Sequence, residues 1–168
     1  VNDNSVDNTM NVLRELHEKS DKIIVINLRK NGGASMARNA GLKKSRGKYI
    51  MFFDSDDDIN QEMISDMVLA MKNGYRLAVC GMLINTVHGG KITSSIESCT
   101  NNIPKINRGE EFRLYILRLL GVDGRLYQVW NKIYLGSIIR KNNLCFRDGV
   151  NFGEDLVFNL DYFSKIEN

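Results

Sequence analysis

Four carboxylates crowd into Asp54-Ser55-Asp56-Asp57-Asp58, immediately after the hydrophobic run Tyr49-Ile50-Met51-Phe52-Phe53. Carboxylates this close repel one another and raise one another's pKa. A cation among them relieves the repulsion, and a hard divalent ion with oxygen ligands, Mg²⁺ or Mn²⁺, suits such a set. An ion held there bridges a diphosphate and neutralises one that departs. A calcium-binding helix-loop-helix needs glycine at the sixth loop position and glutamate at the twelfth. Counted from Asp54 those positions are Ile59 and Ser65, which excludes it. The plain alternative is a solvated turn whose aspartates cap the following helix. A second acidic pair, Glu154-Asp155, lies near the end of the chain. Its own plain alternative is stabilisation of a helix N-terminus by the macrodipole.

The elements around these residues alternate helix and strand in the first half. Asp7 to Glu18 carries Met10, Leu13 and Leu16 near helical spacing. Ile23 to Leu28 is a short β-branched run, expected as a strand buried on both faces. Ser35 to Lys44 reads as a helix, Tyr49 to Phe53 as a strand and Ile59 to Met71 as a helix with Met63, Met67 and Met71 on its core side. Leu77 to Leu83 is expected as a third strand, and the order strand-helix-strand predicts a mostly parallel sheet covered by helices. A carboxylate cluster at the carboxyl end of such a strand stands where ligands gather in open parallel sheets.

The polar stretch from Gly89 to Asn107 reads as a loop with room for a short strand, dividing one domain into residues 1–88 and 89–168. Beyond it, Glu110 to Leu120, Ile133 to Lys141 and Glu154 to Phe163 are expected as helices, and Leu144 to Phe146 as a short strand.

Composition narrows the field. A chain of 168 residues with 43% hydrophobic and 26% charged residues supports one domain with a real core. Net charge is only +3, which gives no support for nucleic acid as a partner. Cys80, Cys99 and Cys145 have neither zinc-ligand nor redox spacing, and read as reduced thiols of a cytoplasmic protein. No run approaches the roughly 20 apolar residues of a membrane span. Lys43, Lys44, Arg46 and Lys48 form a basic cluster read as a solvated face, the alternative being help with phosphate or peripheral association with an anionic membrane surface. His17 and His88 have no partner at ligand spacing, and Trp130 suits a core position as well as an acceptor platform.

Five segments in order carry a resemblance. They are Val1-Asn2-Asp3-Asn4-Ser5-Val6-Asp7-Asn8-Thr9, Asn31-Gly32-Gly33 through Ala37-Arg38-Asn39-Ala40-Gly41-Leu42, Gly47 to Asp57, Trp130-Asn131-Lys132-Ile133-Tyr134, and Phe152-Gly153-Glu154-Asp155-Leu156-Val157-Phe158. Together they resemble the family 2 glycosyltransferases over nearly the whole chain. Asn2 departs from that family's first aspartate and Asn4 from its glycine, and asparagine tolerates the positive φ of such a turn. Haloacid-dehalogenase-type phosphatases also place Asp-x-Asp after a strand, but expect Thr or Val where this chain has Asp58.

The resemblance implies a GT-A fold, a Rossmann-like nucleotide-binding α/β sandwich, with the family's N-terminal strand-helix-strand unit missing before Val1. It implies inverting transfer of a sugar from a nucleoside diphosphate donor, a UDP-hexose or UDP-N-acetylhexosamine, to a glycan, lipid or protein hydroxyl at the inner face of the membrane. By the same resemblance Asp3 contacts the nucleoside and Arg38 lies near the base or diphosphate. Asp54 and Ser55 approach the ribose or metal, Asp56 holds Mn²⁺ or Mg²⁺, and Asp155, beside Glu154, is the general base. The chemistry asks for the same arrangement. A hydroxyl is a poor nucleophile and needs a carboxylate to take its proton, while charge on the departing diphosphate needs a cation. A non-catalytic sugar-nucleotide-binding remnant is the alternative outside enzymes.

Overall fold

The computed structural model describes residues 1–98, 110–122, 124–150 and 152–166. Helices α1 (Thr9–Lys19) and α2 (Gly33–Lys44) precede strand β1 (Tyr49–Met51), helix α3 (Met63–Lys72) and strand β2 (Leu77–Val79). A hairpin follows, β3 (Met82–His88) and β4 (Lys91–Ser98), then α4 (Glu110–Val122) and a short 3₁₀ turn at Gly124–Leu126. Strand β5 (Lys132–Leu135) and helices α5 (Gly136–Lys141) and α6 (Glu154–Ile166) complete the described elements.

The class is α/β, as expected, but the sheet is not the parallel one read from the sequence. Its order is β1-β5-β2, and β5 runs antiparallel to both neighbours. Strands β1 and β2 therefore point the same way, as strand-helix-strand requires, with a strand from the second half inserted between them. Parallel pairing among the described residues is limited to the isolated bridge Asn2–Asn27.

Burial on both faces explains the inserted strand. On one face Ile133 packs with Met67 and Met71 of α3. On the other, Tyr134 joins Ile50, Phe52, Phe146, Phe158 and Tyr162. Ile133 is 1% exposed and Tyr134 is 0% exposed, so the short run Lys132–Leu135 reads as neither amphipathic helix nor half-buried strand. Expected as the start of a helix over Ile133 to Lys141, it is a strand followed by one at Gly136.

Three further expectations are corrected. Residues 23–28 form no strand: their ladder-type bonds run to residue 2, Asn2 N–H to the Ile26 carbonyl at 2.8 Å and Leu28 N–H to the Asn2 carbonyl at 3.0 Å, and Ile24 is largely exposed. The strand expected over Leu77 to Leu83 ends at Val79, and the chain leaves the sheet to form the hairpin. That hairpin closes on Gly89 and Gly90, with φ of +57° and +75°, the signs that a tight primed turn requires. Leu144 to Phe146 is not a strand either, because the Asn39 side chain takes the place of a strand partner. It donates to the Phe146 carbonyl and accepts from the Phe146 N–H, both at 2.8 Å. The remainder of the expected Gly89 to Asn107 loop, residues 99–107, lies outside the described residues.

Candidate functional site

Helix α2 carries the centre of the site. Arg38 projects from it between the turn after β1 and the first turn of α6. Its Nη2 donates to Asp54 Oδ1 at 2.8 Å and its Nη1 to Asp155 Oδ1 at 2.6 Å, with Glu154 Oε1 at 3.4 Å. The planar fork of a guanidinium allows one side chain to span carboxylates on two elements, where a lysine ammonium would act as a point charge. The two acidic segments, 100 residues apart in sequence, thus meet on one cation. The guanidinium also lies 5.4 Å from the centroid of the Phe146 ring, which Asn39 holds by its backbone.

The electrostatics follow from that geometry. Burial alone pulls the Arg38 pKa down, but Asp54, Asp155 and Glu154 outweigh it and hold the guanidinium more firmly protonated. Burial pushes the Asp155 carboxyl above the ordinary carboxylate range, against the opposing pull of Arg38 and of the Val129 N–H, which donates to Asp155 Oδ2 at 3.1 Å. A carboxylate with a raised pKa is a stronger proton acceptor than a free one. In the acidic turn, partial burial and the neighbouring Asp54, Asp56 and Asp58 raise Asp57.

Asp3 sits at the start of α2. Its carboxylate accepts from Gly32 N–H at 2.9 Å and Gly33 N–H at 2.6 Å, supplying the acceptor that the N-cap residue, a glycine, lacks. Its carbonyl accepts from Asn31 Nδ2 at 3.0 Å. Asn4 adopts φ of +59°, so the turn survives without the glycine that the resemblance leads one to expect there. A cleft of about 190 Å³ runs past Gly32, Gly33, Ser35, Met36 and Asp148 to Glu154. Its lining thus includes Gly32 and Gly33, which donate to Asp3, and Glu154, which pairs with Arg38.

Ser55 and Asp56 lie exposed in the turn beyond Asp54. Among the described residues no three His, Cys, Asp or Glu side chains converge as a metal cage. Lys43, Lys44, Arg46 and Lys48 are exposed, as expected of a solvated face, and His17 Nδ1 lies 2.6 Å from the Ile23 carbonyl, outside the site. Sequence reasoning missed Asn39 and the Val129 N–H, both of which act through backbone that no side-chain pattern reveals.

The profile of the family described as Glycosyl transferase family 2 matches residues 1–142, and the chain belongs to that family. It is similar to the poly(ribitol-phosphate) beta-N-acetylglucosaminyltransferase TarP of Staphylococcus aureus (strain N315), 26% identical over 171 residues, covering 100% of this chain and 48% of that protein. It is also similar to the uncharacterized glycosyltransferase EpsJ of Bacillus subtilis (strain 168), 27% identical over 168 residues, covering 99% of this chain and 47% of EpsJ. The crystal structure of S. aureus TarS 1-349 in complex with UDP-GlcNAc superposes with a TM-score of 0.67 at 22% identity, over 97% of this chain and 43% of that one. That likeness shows the GT-A fold. The chain spans about half the length of these two relatives. The family match sets the phosphatase alternative aside.

Proposed function

We propose that this chain is the donor-binding and base-bearing part of an inverting glycosyltransferase that moves a sugar from a nucleoside diphosphate to an acceptor hydroxyl. The observation that carries the reading is Arg38 joining Asp54 to Asp155, which brings a phosphate-side carboxylate and an acceptor-side carboxylate to one place. UDP-N-acetylhexosamine or UDP-hexose is the donor, supported by relatives named as N-acetylglucosaminyl- and glucosyltransferases. The acceptor is a glycan, lipid or protein hydroxyl; polyol-phosphate polymers named for TarP and its kin fit that class.

Asp155 takes the acceptor proton as the hydroxyl attacks the anomeric carbon, and Arg38 holds its carboxylate toward the phosphate side. Asp3 keeps Gly32 and Gly33 in place in the lining of the cleft, toward the nucleoside. The acidic turn fits a divalent cation in kind. Asp54 and Asp56 offer hard oxygen donors, and Mg²⁺ or Mn²⁺ is commonly held by one or two carboxylates plus substrate phosphates rather than by a full protein cage. An ion held by Asp54 and Asp56 would supply charge neutralisation on the leaving diphosphate, with Ser55 in the same turn. The protein acts in the cytoplasm at the inner face of the membrane, and its exposed basic face at Lys43 to Lys48 supports that placement. Among the described residues no helix is long and apolar enough to cross a membrane. The second reading is a sugar-nucleotide-binding protein without turnover.

Calorimetry with UDP and Mn²⁺, paired with UDP release from UDP-N-acetylglucosamine, tests both. Metal-dependent binding with turnover supports the transferase, and Asp56→Asn then weakens binding by removing an anionic ligand. Binding without turnover supports the remnant, and no binding of UDP in Mn²⁺ overturns both.

A further inference from the structure

From the 3₁₀ turn toward β5, the chain turns four consecutive carbonyls, Arg125 to Gln128, inward onto buried polar side chains. Lys132 Nζ donates to the Arg125 carbonyl at 2.5 Å and to the Gln128 carbonyl. Asn159 Nδ2 shares its two hydrogens among the carbonyls of Leu126, Tyr127 and Gln128, at 2.9, 3.0 and 3.0 Å. Asn131 Nδ2 donates to the Arg125 carbonyl at 3.1 Å, while its Oδ1 accepts from Lys132 Nζ at 2.8 Å. Asn131, Lys132 and Asn159 are each 0% exposed. Burying an ammonium costs free energy that its hydrogen bonds must offset, so a simple hydrophobic plug would serve packing better than Lys132 does.

With these carbonyls committed inward, the next amide, Val129 N–H, meets Asp155 Oδ2. Asp155 and Asn159 stand four residues apart, on one face of α6. That face grips the segment by both polarities, Asn159 taking carbonyls and Asp155 taking the N–H. Tyr134 of β5 donates its hydroxyl to Asn159 Oδ1 at 2.6 Å, which leaves the Asn159 amide nitrogen facing the segment.

We propose that Lys132 and Asn159, the latter set by Tyr134, are positioning residues for Asp155: they orient residues 125–129 so that the Val129 amide holds one carboxylate oxygen while Arg38 holds the other. The inference rests on the reading of Asp155 as the base. It gives the Trp-Asn-Lys segment a task in the reaction without contact to either substrate.

The test uses the full chain and its single tryptophan, Trp130, which follows Val129 and reports on the segment. Intrinsic fluorescence is followed from about pH 4 to about pH 8, spanning the range a raised carboxylate reaches. UDP release from UDP-N-acetylglucosamine in Mn²⁺ is measured alongside. The parent shows a fluorescence step that Asp155→Asn removes. In Tyr134→Phe and Lys132→Met the step moves to higher pH, because a weakened N–H bond stabilises the ionised carboxylate less. Arg38, Glu154 and Asp54, the charged groups facing Asp155 from α2, α6 and the β1 turn, are the same in all variants. UDP release slows by roughly 10-fold to 100-fold with little change in donor KM, as expected for a displaced catalytic group. If Lys132→Met does not fold, Tyr134→Phe, which keeps its ring in the core, decides.

A step that Asp155→Asn leaves in place, or folded variants with the parent's midpoint and rate, overturns the proposal. If Asp155→Asn releases UDP normally, the base reading falls and the positioning role with it. If Asp155→Asn is slow while both loop variants match the parent, only the positioning role falls.

Discussion

In sequence, only the resemblance singles out Arg38. Its weight lies in what surrounds it: three carboxyl groups on two elements share one guanidinium with a side chain only 12% exposed. Arg38→Met should therefore destabilise the fold by on the order of 3 kcal/mol, the cost of stranding buried charge, discounted because Asp54 is 37% exposed. Arg38→Lys should fall between, since an ammonium cannot span both sides; urea unfolding orders the three. Asp155 makes a prediction in pH. Its folded pKa is raised from 3.8, so its contribution to stability is complete below that value and is lost as pH rises through the raised one. The parent should lose stability relative to Asp155→Asn as pH rises through and above the ordinary carboxylate range, and urea midpoints at several pH values check the sign. The acid limb of the transfer rate should likewise lie above the ordinary carboxylate range, and vanish with Asp155→Asn.

Helices were the most legible elements, and the reason is periodicity. The Met63, Met67 and Met71 stripe of α3 lies on the core side, and α2, α4 and α6 fall within a few residues of their expected bounds. Short buried segments were not legible. Ile133-Tyr134-Leu135 carries no period because both sides are covered, and nothing in Leu144 to Phe146 announces that an asparagine far upstream supplies its backbone partners. That second substitution is testable. Asn39→Ala leaves the buried Phe146 N–H and carbonyl unpaired, at about 1 to 3 kcal/mol for each group. Thermal unfolding should shift down accordingly, and Phe146 should loosen beneath Arg38. A melting temperature equal to the parent's would mean that water replaces the amide.

At the scale of the whole molecule, the residues on either side of Gly89 share one sheet. Strands β1 and β2 do not pair with each other; the inner edge of each is satisfied by β5, through Tyr49 to Met51 against Leu135 to Ile133, and Leu77 to Val79 against Tyr134 to Lys132. A period-based reading assigns neighbours by sequence order and could not see a strand arriving from more than 50 residues downstream to separate them. Residues 1–98 alone therefore hold two short strands with unpaired backbone and an apolar face stripped of Tyr134, Phe146, Phe158 and Tyr162. Unpaired strand edges and an uncovered core face do not support independent stability. Expressed alone, residues 1–98 should show no cooperative urea transition. Mixed with residues 99–168, they should recover one, because the missing strand and α6 arrive together and close both faces. Far-ultraviolet and near-ultraviolet circular dichroism through a urea series would follow both samples. A cooperative, native-like transition in residues 1–98 alone would show that the first half folds without β5, and the shared sheet would then be a docking contact between two units.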